Sequence, residues 1–218
     1  MRCNVVAAYN DVNVYMLMYA APVAERAYHH GNLRSALMDR AERTVRERGV
    51  DALSLRELAR DVGVSHAAPR RHFADRQALL DALAVEGFDR LGEDLRAAVD
   101  RAGSAFDARL EELARAYLAF ATHHAAPLEL MWAAKRRHES DALHAAANHS
   151  LATMLDVIAD AQASGELAPG DRERVAIPIF ATLQGLTAMA NGGMLDAEQV
   201  DEALTVAIEQ LLDGLRPR

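Results

Sequence analysis

The segment GVSHAAPRRHF, residues 63–73, combines a glycine, a serine, a proline and a cluster of basic side chains. The preceding segment SLRELARDV, residues 54–62, predicts a short helix in which Ser54 and Glu57 form a capping box. Gly63 favours the left-handed conformation that ends a helix, and the serine that follows at position 65 favours the start of another. Two short helices joined by three residues predict a helix-turn-helix unit.

The second helix of this unit, which is the third helix of the chain, is expected from about His66 to Phe73, with a basic outer face. Phe73 is its one large hydrophobic residue, so we expect it to point inward beside Pro69. Because Pro69 is only the fourth helical residue, it should remove about one hydrogen bond near the helix start. The alanines would allow close approach to base edges, and the basic side chains can donate to phosphates or guanine. The segment therefore predicts DNA binding in the major groove.

The remaining sequence predicts an all-α fold, because Ala, Leu, Glu and Arg recur at helical spacing and aromatic residues make up only 5% of the chain. A first helix should begin near Asn32 and end near Gly49, and a long one should begin after Asp75 and end at Gly103. Five further helices are expected at about 105–124, 127–137, 139–163, 172–190 and 197–214.

The charge is distributed unevenly along the chain, whose net charge is −8. Residues 28–78 contain ten arginines and seven acidic residues, whereas residues 79–218 contain twelve basic and twenty-three acidic residues. This asymmetry indicates that only residues 28–78 bind a polyanion such as DNA.

Residues 1–27 are expected to be an N-terminal extension outside both parts. Its apolar run VYMLMYAAPVA, residues 14–24, is too short to span a membrane and only weakly resembles a signal peptide. The alternatives are an arm, or a start codon assigned too early, with Met16 or Met18 as internal candidates. A single cysteine, Cys3, excludes an internal disulfide and is typical of a reducing compartment.

Residues 28–80, YHHGNLRSALMDRAERTVRERGVDALSLRELARDVGVSHAAPRRHFADRQALL, resemble the DNA-binding head of the TetR family of bacterial transcriptional regulators. The resemblance implies a cytoplasmic homodimer with a three-helix head, residues 28–76, that binds a double-stranded DNA operator. It implies a helical-bundle body, residues 77–218, that dimerises and binds an unknown small molecule. The function it implies is a repressor released by an inducer, or an activator with the same head.

The resemblance also implies which residues meet DNA. Ser54 and Arg56 would touch backbone and base, and the outer face of the third helix would lie in the groove. Family members often carry a tyrosine where this chain has Arg70. The implied groove-facing and phosphate-binding residues are His66, Ala67, Ala68, Arg70, Arg71, His72 and Arg76.

The second half resembles a ligand domain of the WHG type, with Phe180, Gln184 and Gly185 at its Trp, His and Gly positions. Two of the three residues are therefore replaced. Aromatic residues and methionine suit an adaptable apolar pocket, although core packing is the alternative for each. The candidate pocket residues are Tyr117, Phe120, Met131, Trp132, Met154, Leu155 and Ile158.

Two late segments predict the dimer interface. In the last helix, apolar residues are spaced four, three and four positions apart, which places them on one face that can pack against a partner helix. In the helix before it, two small residues four apart would allow close approach. The candidates are Ala181 and Gly185 in the earlier helix and Val200, Leu204, Ala207 and Leu211 in the last.

No catalytic, metal or cofactor site is expected. Five histidines lie close in sequence, yet none pairs with another at the i, i+4 spacing that places two ligands on one helical face. The Glu-x-x-His pairs of carboxylate oxidases are absent, as are Walker, HExxH and nucleophile-elbow motifs. The remaining alternative is a ligand-binding helical bundle that does not bind DNA. The histidines are His123, His124, His138, His144 and His149.

Overall fold

The computed structural model describes residues 33–137 and 140–216, which contain eight α-helices and two 3₁₀ turns. The predicted N-terminal extension, Cys3 and His138 lie outside the described residues. The 3₁₀ turns are Val50–Ala52 and Pro69–Arg71. The helices are α1 (Leu33–Arg48), α2 (Leu55–Val62), α3 (Arg76–Arg101), α4 (Phe106–His123), α5 (Ala125–Arg137), α6 (Asp141–Ser164), α7 (Arg172–Asn191) and α8 (Ala197–Leu215). The predicted all-α fold is confirmed.

The turn after α2 forms as the sequence predicts. Gly63 adopts φ 78° and ψ 33°, in the left-handed region that glycine tolerates without a Cβ clash. Its N–H donates to the Arg60 carbonyl at 3.1 Å, and the Val64 N–H donates to the Ala59 carbonyl at 2.8 Å. These two bonds are the pattern of a Schellman motif, so the chain reverses sharply after α2.

The predicted capping box at the start of α2 is wrong. Ser54 occupies the N-cap position in an extended conformation, but its side chain makes no capping hydrogen bond. The N-terminal amide groups of α2 therefore lack the side-chain acceptor that the Ser-x-x-Glu spacing suggested.

The predicted third helix is also wrong in its extent, because only Pro69–Arg71 is helical and it forms a 3₁₀ turn. Pro69 has no N–H to donate to the Ser65 carbonyl, which accepts instead from the Ala68 N–H at 3.0 Å. The next bonds, from Arg71 to Ala68 and from His72 to Pro69, continue this three-residue spacing. The Phe73 N–H also donates to the Pro69 carbonyl at 2.9 Å, with four-residue spacing, so the proline starts a 3₁₀ turn and not a continuous α-helix.

The inward orientation of Pro69 and Phe73 is confirmed, because both side chains are buried. Phe73 packs in a cluster that we call the head core. Its later members lie beyond residue 76, since the first turns of α3 pack against α1. The head core consists of Leu37, Met38, Ala41, Val45, Leu53, Leu58, Phe73, Leu79, Leu80, Leu83 and Leu130.

Helix α3 then continues into a second cluster, the body core, which begins at Ala84 and Phe88 on the same helix. Two glycines allow neighbouring helices to approach α3 closely. A Cβ added at Gly87 would lie 2.6 Å from the Met131 sulfur on α5, and one at Gly92 would lie 3.1 Å from the Ser150 Cα on α6. The main packing partners of α3 are α6, α4 and α5.

The last two helices close the bundle against α4 and against each other. Asp171 caps α7, and Asp196 caps α8 in a capping box with Gln199. In the part of the chain that the structure describes, no helix is long and apolar enough to cross a membrane.

Replacing Gly92 with valine should lower the free energy of unfolding by about 1–3 kcal/mol, because the added side chain meets the Ser150 backbone. The control is Gly214→Ala in α8, where an added Cβ meets no atom within 4 Å. The control should leave stability unchanged or raise it by up to about 1 kcal/mol. Urea unfolding measures both, and an unaltered Gly92→Val protein would contradict the close approach of α3 and α6.

Candidate functional site

The exposed surface of the head is basic along the segment that follows the Schellman turn. His66, Ala67, Arg70, Arg71 and His72 are exposed, and Ala68 is half-buried. We call this segment, residues 66–72, the basic edge. Buried Pro69 and Phe73 anchor it to the head core, so the remaining side chains point outward.

Several other arginines, in the head and in the adjoining α3, form ion pairs within the chain. Arg40 pairs with Asp61 at 2.9 Å, and Arg90 pairs with Glu42 at 2.9 Å. Among the described residues, no carboxylate pairs with Arg70 or Arg71, nor with Arg56 at the exposed side of α2. These three guanidinium groups are consequently available to an external anion.

Arg76 has a different environment from the other predicted DNA contacts. Its Nη2 donates to the Val50 carbonyl at 2.6 Å and its Nε donates to the Leu53 carbonyl at 3.0 Å. The side chain thus ties the first turn of α3 to the 3₁₀ turn that precedes α2. The structure therefore gives Arg76 a role in positioning the head, whereas contact with phosphate stays a prediction.

A cleft of about 900 Å³ lies between α5 and α7 in the body. Its walls are mostly apolar, with several polar groups among them. The lining residues are Ala125, Leu128, Glu129, Trp132, Ala133, Lys135, Arg136, Gln184, Thr187, Ala188, Asn191 and Gly192.

Aromatic side chains support the inner wall of this cleft. The Trp132 ring meets Phe88 edge-on with centroids 5.3 Å apart, and meets Phe180 at 5.4 Å. The Tyr117 hydroxyl donates to Gln184 Oε1 at 3.0 Å. Burial raises the pKa of Tyr117 to about 12, and the nearby Trp132 N–H opposes that rise without forming a hydrogen bond of normal geometry. Tyr117 is therefore a neutral donor that fixes the orientation of Gln184.

Two buried polar atoms of the cleft have no hydrogen-bond partner among the described residues, Trp132 Nε1 and Thr187 Oγ1. Thr187 is only 5% exposed. A third polar group is the ammonium of Lys135, which lies 5.4 Å from the centroid of the Trp132 ring. Burial lowers the pKa of Lys135. The cleft therefore has buried polar groups that protein atoms leave unsatisfied, as expected of a site for a polar ligand.

Helix α5 connects this cleft to the head. Leu130 of α5 is 5% exposed and packs in the head core, whereas its neighbour Met131 packs in the body core. At the end of α5, Arg137 pairs with Asp81 of α3 at 2.9 Å. One helix thus contributes to the cleft and to both cores.

A charged pair next to this helix joins α1 to α3. Arg90 donates to both oxygens of Glu42, and this hydrogen bonding lowers the pKa of Glu42 and raises that of Arg90. His124 lines the same small cavity, and burial lowers its pKa. This junction therefore keeps its charges paired while His124 favours the neutral form.

Family models match both parts of the chain. A model described as bacterial regulatory proteins, tetR family, matches residues 37–83, and a model described as tetracyclin repressor-like, C-terminal domain, matches residues 110–213. The two matches together span more than two thirds of the sequence. The chain belongs to the TetR family of bacterial transcriptional regulators. It is a regulator with a DNA-binding head, not an enzyme, and the resemblance seen in residues 28–80 is confirmed.

Solved structures include similar proteins. A protein of unknown function from Rhodococcus sp. RHA1 is 46% identical and covers 88% of this chain and 100% of its own, with a TM-score of 0.81. A TetR family regulator from Marinobacter aquaeolei VT8 is 18% identical over 85% of this chain and 96% of its own, with a TM-score of 0.68. The ketosteroid transcriptional regulator of Mycobacterium tuberculosis is 22% identical over 85% of this chain and 95% of its own, with a TM-score of 0.60. The last two share the fold. No curated protein matches the chain.

The structure brings together only some of the predicted pocket residues. Trp132 lines the α5–α7 cleft, and Tyr117 reaches it through Gln184. Phe120 does not line this cleft; it lies beside His124 and lines the small cavity next to Glu42 and Arg90. Lys135 and Thr187 line the cleft but are not among the residues predicted from the sequence. One sequence feature points to Lys135, because it is the only lysine of the chain. Met131, Met154 and Ile158 are buried in the body core, and Leu155 is half-buried.

The predicted dimer residues also fall on different surfaces. Ala181 and Gly185 are exposed on α7. Leu204 is wrong as an interface residue, because it is 2% exposed and packs in the body core of its own chain. Apolar residues spaced four, three and four apart lie on one face of a helix. This spacing is the same whether that face packs against a partner chain or against the core of its own chain. The other three α8 candidates, Val200, Ala207 and Leu211, are half-buried.

Replacing Arg76 with alanine should lower the free energy of unfolding by about 1–3 kcal/mol, because two backbone carbonyls lose a charged donor. Arg71→Ala is the control, since its exposed side chain has no such bonds, and it should change stability by less than about 0.5 kcal/mol. Thermal or urea unfolding of the two variants makes the comparison. Equal stabilities would contradict the positioning role of Arg76.

Proposed function

We propose that this TetR regulator is a cytoplasmic repressor that binds a palindromic operator as a homodimer and is released by a small-molecule inducer. The observation that best supports DNA binding is the pair of exposed arginines on the basic edge, Arg70 and Arg71, which no carboxylate of the described residues neutralises. A compact, anchored segment with exposed Arg70 and Arg71 can enter a major groove, where arginine donates to guanine or phosphate.

The start of α2 supports the same placement. Its amide groups have no side-chain cap, and Ser54 and Arg56 lie beside them. Unsatisfied amides at a helix N-terminus attract phosphate, so a DNA backbone would supply the missing acceptors. The chain's acidic body would meanwhile avoid DNA, which leaves the head as the contact surface.

The position of Leu130 supports release by a ligand in the α5–α7 cleft. A molecule that contacts Trp132 or Lys135 acts on the helix that also carries Leu130 into the head core. A change in the packing of α5 would then alter the position of the head relative to DNA. A ligand can shift this equilibrium only by its difference in affinity for the two arrangements.

An exposed apolar row on α7 supports the dimer. Ile177, Ala181, Gly185 and Met189 step by four along one exposed face, and Ile177 is 65% exposed. An added Cβ at Gly185 meets no atom within 4 Å in the single chain. The small residues would let a partner helix approach closely, which explains a glycine that costs about 1 kcal/mol of helix stability. Two heads would then reach major grooves about 34–36 Å apart, or further if they are spread.

The experiment that tests the function is sequencing of the genomic DNA that copurifies with the full chain, followed by affinity measurements on the enriched sequence. An inverted repeat bound with steep salt dependence supports the proposal. A reporter under that sequence should rise when the regulator is deleted, because a repressor is lost. Failure to enrich any sequence would overturn DNA recognition, and a falling reporter would overturn repression.

Replacing Arg71 with alanine should weaken binding to the enriched sequence by about 1–3 kcal/mol if its guanidinium reads a guanine. Replacing Arg70 should weaken binding too. If Arg70 contacts a phosphate, the slope of the logarithm of the binding constant against the logarithm of the salt concentration should fall in magnitude by about one. Fluorescence anisotropy with labelled duplex measures both. Arg172→Ala, an exposed charge change on α7, is the control, and unchanged affinity in both edge variants would sink the placement.

Replacing Gly185 with tryptophan should abolish dimerisation and tight operator binding while the chain stays folded, because the position is open within one protomer. Ala97→Trp, at an exposed position of α3, is a control that should keep the dimer. Light scattering gives the mass, and anisotropy of the same samples gives the operator affinity. A Gly185→Trp dimer that binds the operator normally would exclude α7 as the interface.

A further inference from the structure

The cleft between α5 and α7 presents hydrogen-bond donors. Thr187 shows this most clearly, because four other threonines in helices donate to the carbonyl four residues earlier. These are Thr44, Thr122, Thr182 and Thr205. Thr187, at 5% exposure, makes no such bond among the described residues, although a carbonyl lies at the equivalent position of its own helix. Its hydroxyl is therefore left for a group inside the cleft.

Trp132, Lys135 and Gln184 add donors to the cleft, whereas Glu129 and Asn191 carry acceptor oxygens. The indole N–H of Trp132 can only donate, and the ammonium of Lys135 carries three donors and no acceptor. The Gln184 oxygen is occupied by the Tyr117 hydroxyl, so its amide nitrogen is the part left to bind. A group that meets these side chains must accept hydrogen bonds, and a carboxylate accepts without donating any.

The charge of the cleft favours an anion. Lys135 is the only lysine among the 24 basic residues of the chain. Within the described residues no carboxylate pairs with it, and its ammonium lies over the face of Trp132. Arg136 and Glu129, one base and one acid, also line the cleft, so Lys135 is the base there that has no counter-charge. A partly desolvated ammonium without a counter-charge gains most from a bound anion.

The remaining walls are apolar and suit a hydrocarbon portion. Leu128, Ala133 and Ala188 flank the polar groups, and the Trp132 ring lies beside them. The volume of about 900 Å³ is in the range of small-molecule sites.

We propose that this cleft binds an amphipathic organic carboxylate, with Lys135, Thr187 and Trp132 at the carboxylate and the apolar walls around its tail. This inference rests on the proposed function only in placing the inducer in this cleft. It adds the chemical class of that molecule.

The test is direct binding to the full chain, read by the fluorescence of Trp132, the only tryptophan. The probes are octanoate and cyclohexaneacetate, each compared with its neutral amide, which has the same shape. The carboxylates should bind at least about tenfold more tightly than their amides, as expected for a charge-assisted pair in a half-buried site. Lys135→Met should remove this preference, and Lys135→Arg should retain part of it because the charge remains.

Two further variants separate recognition from folding. Thr187→Val keeps the volume of the side chain and should weaken carboxylate binding more than amide binding, because an acceptor loses its donor. Arg172→Met removes the same charge at the far end of α7 and should leave both affinities unchanged. Circular dichroism of each variant confirms that it is folded.

The outcomes are distinguishable from those of the DNA experiments. Amides that bind as tightly as carboxylates, with no effect of Lys135→Met, would overturn the anionic class and leave the cleft as a ligand site. Trp132 fluorescence unchanged by any carboxylate would overturn the inference altogether. Neither result alters operator enrichment or the Arg71→Ala comparison, because those measurements do not involve the cleft.

Discussion

The continuity of α3 is the constraint on which the rest of the structure depends. This helix of 26 residues spans about 39 Å at 1.5 Å per residue. Its first turns complete the head core with Leu79, Leu80 and Leu83, and its later turns form the centre of the body core. No flexible linker separates the two parts, so a tilt of α3 in the body must move the basic edge at the other end. Such a rigid connection is one physical route by which a ligand bound in the body can act on the head.

The sequence predicts the helices well, because their signals are local. Apolar periodicity places α1 and α3, and Gly63 ends α2 with the torsion angles expected for it. The side chain of Asp75 caps α3 by accepting from the Ala78 N–H at 2.8 Å. Each of these features depends on residues within one or two turns of each other. The family resemblance is equally local, since most of its diagnostic residues lie in one segment of about fifty.

Long-range features could not be predicted in the same way. From the sequence, Arg76 is predicted to bind phosphate. Its actual partners, the carbonyls of Val50 and Leu53, are more than twenty residues away along the chain, so no local pattern reveals them. The period of α8 did not reveal that Leu204 faces its own core. The third helix failed for a different reason. The sequence pattern predicts one missing bond at Pro69, whereas most of the neighbouring bonds have three-residue spacing. The α5–α7 cleft combines residues about fifty positions apart, which no local pattern indicates.

The side chain of Leu130 makes the head dependent on the body for its own stability. A fragment cut after Leu83 would leave the space of a buried leucine unfilled, a defect that costs about 2–5 kcal/mol in other proteins. A unit of about fifty residues has little more stability than this to lose. The DNA-binding segment is therefore not a portable module that could be transplanted onto another protein. A chimaera would need to bring α5 with it or fill the vacated volume by redesign.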